Sequence, residues 1–344
     1  MRAAVTEGAG SMRVVERAEP AAPGPRDVVI RPEAVGICGS DYHFFAGHLS
    51  DAAGGSQFPR VQGHELAGCI TALGPGCRPE LHVGQRVAVW PLHACGRCYP
   101  CSVGRPNTCD AFKLTGIHLD GGLQERLSLG EGQVCPIDVG DPAVAATAEP
   151  VSIAVRAVNR AAIQAGERAV VLGAGPIGYC ICLVARERGA EVLVIDLLEH
   201  RLALSRELGA EILQWRGVAH AVESARRWAG PAGPPVAFDA TGAAAAVQAM
   251  VTMVASAGRA VQVGMSNDEV PIRIGSLTEK ELDLLGVSCC GQAEFGDAVA
   301  VVQRQNASLA RLVSHEFPLS EAPAAIRYAI ANPAEVMKVM IRTS

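Results

Sequence analysis

The 344-residue sequence has no basic run: 30 lysines and arginines stand against 35 acids, for a net charge of −5. Without a cationic stretch it carries no footprint for nucleic acid or for an anionic membrane, and both are set aside as partners. No apolar run is long enough to span a bilayer. Met1-Arg2-Ala3-Ala4-Val5 is not followed by an apolar signal core, so the expected location is cytoplasmic. Internal repeats, beyond an alternation of strands and helices, and disordered linkers are also missing. What remains is the composition of a globular protein, 49% hydrophobic and 19% charged, with length enough for two cores.

Twelve cysteines do not make this a disulfide scaffold. Four fall close together, in Cys95-Gly96-Arg97-Cys98-Tyr99-Pro100-Cys101 closed by Cys109, and the others are scattered. In a cytosolic chain that pattern favours metal binding plus buried thiols, with Cys69, Cys135, Cys180 and Cys182 as packing residues. Four thiolates are what a closed tetrahedral zinc site needs. The spacing leaves no room for a finger helix, and zinc is preferred to an iron–sulfur cluster, for which similar spacings exist. A closed site has no open position, so its expected role is to hold a loop.

A second donor set sits earlier, in Gly36-Ile37-Cys38-Gly39-Ser40-Asp41-Tyr42-His43 and Gly63-His64-Glu65. Thiolate, imidazole and carboxylate are the donors zinc takes in catalytic sites. Ser40 and His43 follow Cys38 closely enough to lie beside the same metal. Alone, Cys38 would pass for a buried thiol.

Residues 1 to about 90 read as short strands, including Asp27–Val35, Leu66–Leu73 and Gly84–Trp90. Cys38 then follows one strand and His64-Glu65 precedes another. The stretch from Phe44 to Pro59, with Gly54-Gly55, is expected to be a loop bordering a substrate cleft. Residues 111–142 return to β-type patterning around Asp120-Gly121-Gly122. Glu149-Pro150 opens a helical run to Ile163, where the domain boundary is placed.

A parallel-sheet alternation follows. The strand Arg168–Leu172 leads into Gly173-Ala174-Gly175-Pro176-Ile177-Gly178, a helix to Arg188, and a strand Glu191–Ile195 ending at Asp196. Strand, glycine pattern, helix and acid at this spacing form the dinucleotide fingerprint. Gly173 permits the turn, Gly175 the approach of the pyrophosphate, and Gly178 close packing of helix on strand. The helix N-terminus favours the phosphate charge. Asp196 would bond the ribose hydroxyls and repel a 2′-phosphate, and Leu197 offers no cation instead, so NAD is expected over NADP. Further strands span Val236–Ala240, Arg259–Val263 and Leu282–Ser288, and Val336–Ile341 is strand-like.

With these motifs in this order, the sequence resembles the zinc-dependent medium-chain dehydrogenases of the alcohol dehydrogenase family, in the polyol (sorbitol) and threonine dehydrogenase branch. The resemblance covers essentially the whole chain. It implies an α/β protein: a GroES-like β-rich catalytic domain (1–150, with a zinc lobe at about 93–110) and a Rossmann doubly wound domain (151–288). The segment 289–344 is expected to return to the first. It also implies an active site in the cleft, two zinc ions per chain, and a homodimer or homotetramer.

Residue by residue, Cys38 and His64 match the first two catalytic-zinc ligands, and Glu65 and Glu149 the acids that complete the site. Which acid binds directly is left open. Ethanol-type relatives carry cysteine where Glu149 falls. Ser40 and His43 match a proton relay, and Asp41 a carboxylate that orients a ligand imidazole. Thr241, Val263, Gly264 and Ser288 fall where the family contacts the cofactor. The implied reaction is hydride transfer between NAD(H) and a secondary alcohol or ketone, with zinc as Lewis acid. A polyol, cyclitol or sugar-derived substrate fits the branch. A sugar acid is the nearest variant, with Arg60 as candidate cation, and a threonine-type amino alcohol the third. His48, His118 and Phe58 are weaker candidates for substrate contact, and Cys289 and Cys290 for packing. A non-catalytic protein on this fold, or a metal-free reductase, would have no use for the intact ligand set.

Overall fold

The structure is a computed structural model and describes residues 1–49 and 57–343. Two compact units divide the chain, Met1–Ser152 together with Gly291–Ser344, and Ile153–Cys290. Among the described residues no helix is long and apolar enough to cross a membrane.

The first unit is built on the strand Asp27–Gly36, which is buried along nearly its whole length. Val28, Ile30 and Val35 enter the core with Leu66, Ile70, Val87 and Val339. This strand pairs antiparallel with Glu65–Leu73, from Val28 opposite Leu73 to Gly36 opposite Glu65. The register slips between Pro32 and Ala34; proline brings no N–H to a ladder, so a bulge is where it fits. Its other edge is shared between Leu127–Gly130 and a late strand, Lys338–Arg342. The late strand places Met340 opposite Gly36, and the bond from Ile37 N to Val339 O (3.0 Å) continues the pairing. Lys338 is thereby carried to the place where the strand Asp27–Gly36 ends.

Local structure departs from the sequence expectation at three points. Phe44 and Phe45, expected in a loop, close the helix Gly39–Phe45. Both rings are buried, and Phe44 meets Phe58 edge-on at 5.1 Å between ring centres, so packing decides the helix. Gly54-Gly55 lies outside the described residues. Just after the β-patterned stretch, Pro142–Ala146 forms a helix ahead of the one expected at Glu149, and its N-cap, Asp141, accepts from Ala143 N. The next helix, Ala148–Ala161, starts one residue before Glu149.

The second unit contains a six-stranded parallel sheet. Its strands are Arg168–Leu172, Glu191–Asp196, Glu211–Gln214, Val236–Asp239, Arg259–Gln262 and Asp283–Gly286, in the order 3-2-1-4-5-6. The first two are almost continuously apolar and buried, as strands covered on both faces must be. The order reverses direction between the first and fourth strands, and ligands of such sheets bind at the carboxyl ends beside that switch. Gly173, at φ +98°, turns the chain out of the first strand there, and Pro176 starts the helix Pro176–Glu187.

Gly178 is fixed by packing: a Cβ on it would stand 1.8 Å from the carbonyl oxygen of Gly173. Gly178→Ala is therefore expected to cost about 1–3 kcal/mol through forced backbone displacement. A urea unfolding curve measures it, and an unchanged midpoint would mean that the helix is free to move.

Candidate metal centres and dinucleotide loop

Cys38 follows the central strand of the first unit and caps the helix Gly39–Phe45. His64 immediately precedes the neighbouring strand and Glu65 starts it, and the pairing of Gly36 with Glu65 brings the two segments side by side. Gly36 is required by this approach, since a Cβ there would lie 2.2 Å from Glu65 Oε2. Donor atoms of Cys38, His64 and Glu65 consequently fall within 4.8 Å of one another. Ser40 Oγ is 3.4 Å from His64 Nε2. Behind them Asp41, fully buried, accepts from Cys38 N at 2.9 Å and lies 3.7 Å from His64 Nδ1. His43 is exposed in the last turn of the helix, and His48 is exposed beyond it.

Glu149 stands outside the three-residue group, in the first turn of the helix Ala148–Ala161. Burial pushes its carboxyl up to about 7, with His64 pulling it down and Glu65 pushing it further up. Burial also raises Asp41. His64 is raised well above its ordinary value: burial opposes its charge, but Asp41 and Cys38 outweigh it. Its Nδ1 is buried without a hydrogen-bond partner. An imidazole surrounded by a thiol and three carboxyl groups is a place for a cation, and the donors suit zinc.

Sequence reasoning missed Lys338. Its ammonium, 3% exposed as a residue, reaches both oxygens of Glu65 at 2.7 Å and the carbonyl of Ile37 at 3.3 Å. Burial works against its charge, yet Glu65 and Cys38 raise its pKa above the ordinary value. The signal was available: Lys338 is the one charged residue in the apolar run Val336–Ile341. Two weaker candidates are engaged elsewhere. Arg60 lies 3.5 Å from Asp120, and His118 Nδ1 accepts from Leu114 N while its ring meets Phe112.

Cys95, Cys98, Cys101 and Cys109 converge in a lobe of short turns. Cys98 Sγ lies 3.4 Å from Cys101 Sγ and 3.7 Å from Cys109 Sγ. Zinc–sulfur bonds of about 2.3 Å at the tetrahedral angle set sulfurs roughly 3.8 Å apart. Backbone N–H groups of Arg97 and Cys98 lower Cys95 to about 6, whereas desolvation and Cys98 raise Cys101 to about 12. Four thiols so crowded fit a metal held as thiolates.

In the second unit Asp196 accepts from Ala174 N at 2.6 Å and Leu198 N at 2.8 Å, which ties it to the glycine loop. Asp239 was not singled out from the sequence, yet it organises the adjoining loops. Its carboxylate accepts from Thr241 Oγ1, Gly242 N and Gln262 Nε2, and its carbonyl accepts from Val263 N and Gly264 N. Gly264 has no room for a side chain, since a Cβ would be 2.1 Å from Gly242 N. Thr241 and Ser288 are exposed, and Cys290 is buried.

A zinc ligand set and a dinucleotide fingerprint on one chain define a class, the zinc-dependent dehydrogenases. Residues 24–139 match the alcohol dehydrogenase GroES-like domain and residues 176–304 the zinc-binding dehydrogenase domain. L-galactonate-5-dehydrogenase of Escherichia coli K12 is 32% identical, with 93% of this chain and 92% of that protein aligned. A probable D-xylulose reductase A of Aspergillus terreus is also 32% identical, over 94% and 93%. Among solved structures, the alcohol dehydrogenase RspB of E. coli CFT073, complexed with NADH, superposes with a TM-score of 0.89 at 28% identity, covering 100% of this chain and 99% of that one. A zinc-binding dehydrogenase of Sinorhizobium meliloti 1021, bound to NADP, gives 0.88 at 29%, covering 99% of each chain. The chain belongs to the zinc-dependent medium-chain alcohol dehydrogenase family and is an oxidoreductase with a GroES-like domain and a Rossmann domain.

The raised Glu149 carboxyl has a consequence for the metal-free protein. The folded state holds this proton more tightly than the unfolded chain. Its contribution is therefore intact below about 4.5 and lost as pH rises through about 7. The loss is on the order of 3 kcal/mol. Glu149→Gln is expected to remove that pH dependence in urea unfolding between pH 5 and 8; an unchanged profile would place the titration elsewhere.

Proposed function

We propose that the enzyme oxidises a secondary alcohol of a polyhydroxylated substrate, a polyol or cyclitol, with NAD as acceptor. The observation that carries this reading is the convergence of Cys38, His64 and Glu65 with Ser40 beside His64. Cys38, His64 and one of Glu65 and Glu149 would hold the catalytic zinc, and the four-cysteine lobe a second, structural zinc. When bound, the metal would supply Lewis acidity towards the substrate hydroxyl, and NAD would supply the hydride-accepting chemistry.

The chain's own groups handle the proton and the orientation. Ser40 Oγ takes the hydroxyl proton, and His43, exposed at the end of the same helix, passes it to solvent. Asp41 orients His64 from behind. Lys338 neutralises Glu65 and holds both its oxygens, which leaves Glu149, outside that ion pair, as the acid able to approach or leave the metal. The glycine loop Gly173–Gly178, with Pro176 and Ile177 opening its helix, cradles the pyrophosphate. Thr241, Val263, Gly264 and Ser288 would contact the cofactor at its other end. A second reading, a sugar acid as substrate, is favoured by the L-galactonate relative; its candidate cation, Arg60, lies 3.5 Å from Asp120. A cytoplasmic homodimer or homotetramer belongs to the same proposal.

NADH formation at 340 nm is the direct test, against polyols, cyclitols, aldonates and threonine. Turnover is expected with a polyhydroxylated substrate and is abolished in Cys38→Ser and His64→Ala; activity that survives both would sink the mechanism.

Cofactor choice is tested separately. Asp196 at the end of its strand would repel a 2′-phosphate, and like charges placed together cost several kcal/mol. Asp196→Ser should shift the ratio of kcat/KM for NAD over NADP by about 100-fold towards NADP. A ratio that does not move would show that another group selects the cofactor.

A further inference from the structure

His64 is backed by a line of buried side chains that reaches the first strand, Arg2–Gly8. Thr6, Gln62 and Asp41 are each fully buried. Thr6 Oγ1 donates to Gln62 Oε1 at 2.6 Å, and Gln62 Nε2 donates to the main-chain oxygen of Asp41 at 3.0 Å and to Asp41 Oδ1 at 3.1 Å. The main-chain oxygen of Asp41 can only accept, so the amide nitrogen must face it. Gln62 Oε1 then points at Thr6, whose hydroxyl supplies the hydrogen. Both amide hydrogens and the amide oxygen are thus used, and the side chain has one orientation.

The line ends on one particular oxygen. With Oδ1 of Asp41 held by Gln62, Oδ2 is the atom that accepts from Cys38 N and faces His64 Nδ1. That ring nitrogen has no hydrogen-bond partner, so Asp41 is the group able to orient the imidazole from behind. A glutamine used only to fill space would be matched by leucine, and nothing in filling space demands that its amide select a carboxylate oxygen.

We propose that Gln62 is a positioning residue for the metal site, with Thr6 fixing its amide. Gln62 sets the plane of the Asp41 carboxylate, Asp41 sets the His64 ring, and Nε2 is thereby aimed at the metal. This inference rests on the zinc reading above and extends it two residues outward from the donor set. Supporting groups behind a ligand histidine are worth about 10–100-fold in metal affinity; a group one step further out is placed at the lower end.

The test uses the full chain loaded with Co(II), whose visible bands distinguish a mixed thiolate, imidazole and carboxylate site from a four-thiolate one. Chelator competition then gives the affinity of each site. Gln62→Leu is expected to loosen the Cys38–His64 site by about tenfold and leave the four-cysteine site unchanged. Thr6→Val should loosen the first site by roughly threefold, the worth of one hydrogen bond, and Thr6→Ser should restore it. The double variant should be no weaker than Gln62→Leu, because both act through one amide.

Unchanged affinity in the folded variants, with tight wild-type binding, overturns the inference alone. Equal loosening at both sites also overturns it, by reducing the effect to general destabilisation. A wild-type protein that takes no cobalt at the mixed site overturns the zinc reading and this inference with it. Should Gln62→Leu fail to fold, the pair Thr6→Val and Thr6→Ser carries the test.

Discussion

The buried ion pair between Lys338 and Glu65 is the constraint around which the first unit is arranged. Cys38, Asp41, Glu65 and Glu149 crowd acidity around one imidazole, and burial makes each added charge costly. Lys338 cancels one of these charges. To do so it must sit beside the end of the central strand, which requires the late strand Lys338–Arg342 to pair with Ala34–Gly36. Gly36 must lack a side chain so that Glu65 can reach the lysine. Register, glycine and lysine are parts of one electrostatic solution around a donor group that could hold a metal ion.

The second unit solves a different problem with a similar device. Its loops must bring main-chain N–H groups together at the carboxyl ends of parallel strands. Buried Asp239 does this by accepting from the N–H groups of Thr241, Gly242, Val263 and Gly264, with the Gln262 side-chain amide added. Asp196 ties the glycine loop down in the same way through Ala174 and Leu198. In each unit a carboxylate organises donors before any ligand is present, which lowers the ordering cost that binding would otherwise meet.

Much of this was readable in the sequence because the chemistry there is local. Cys95 to Cys109 and Gly173 to Gly178 carry their meaning in spacing, and strands such as Arg168–Leu172 are marked by unbroken apolar runs. The missed residues act over long separations. Lys338 meets Glu65 across 273 positions, and Gln62 gains a role only because Thr6 and Asp41 flank it in space. Phe44 and Phe45 were misplaced for a related reason: a loop reading weighs composition, whereas their burial is a tertiary fact. Glu149 shows the limit of matching by motif, since the family position identifies the acid and gives neither its distance from the other donors nor its raised pKa.

The order of segments along the chain has a kinetic meaning. Ile153–Cys290 lies in sequence between two pieces of the first unit, and the strands that meet at Gly36 and Met340 are separated by all of it. Local contacts form quickly, whereas pairings of high sequence separation wait for a large loop to close. During synthesis Cys38, His64 and Glu65 emerge long before Lys338 exists. The second unit is contiguous and can fold on its own schedule; the site around His64 is finished only when the last strand docks. Completion of the donor group around His64 is therefore a late step of folding, since it waits for Lys338.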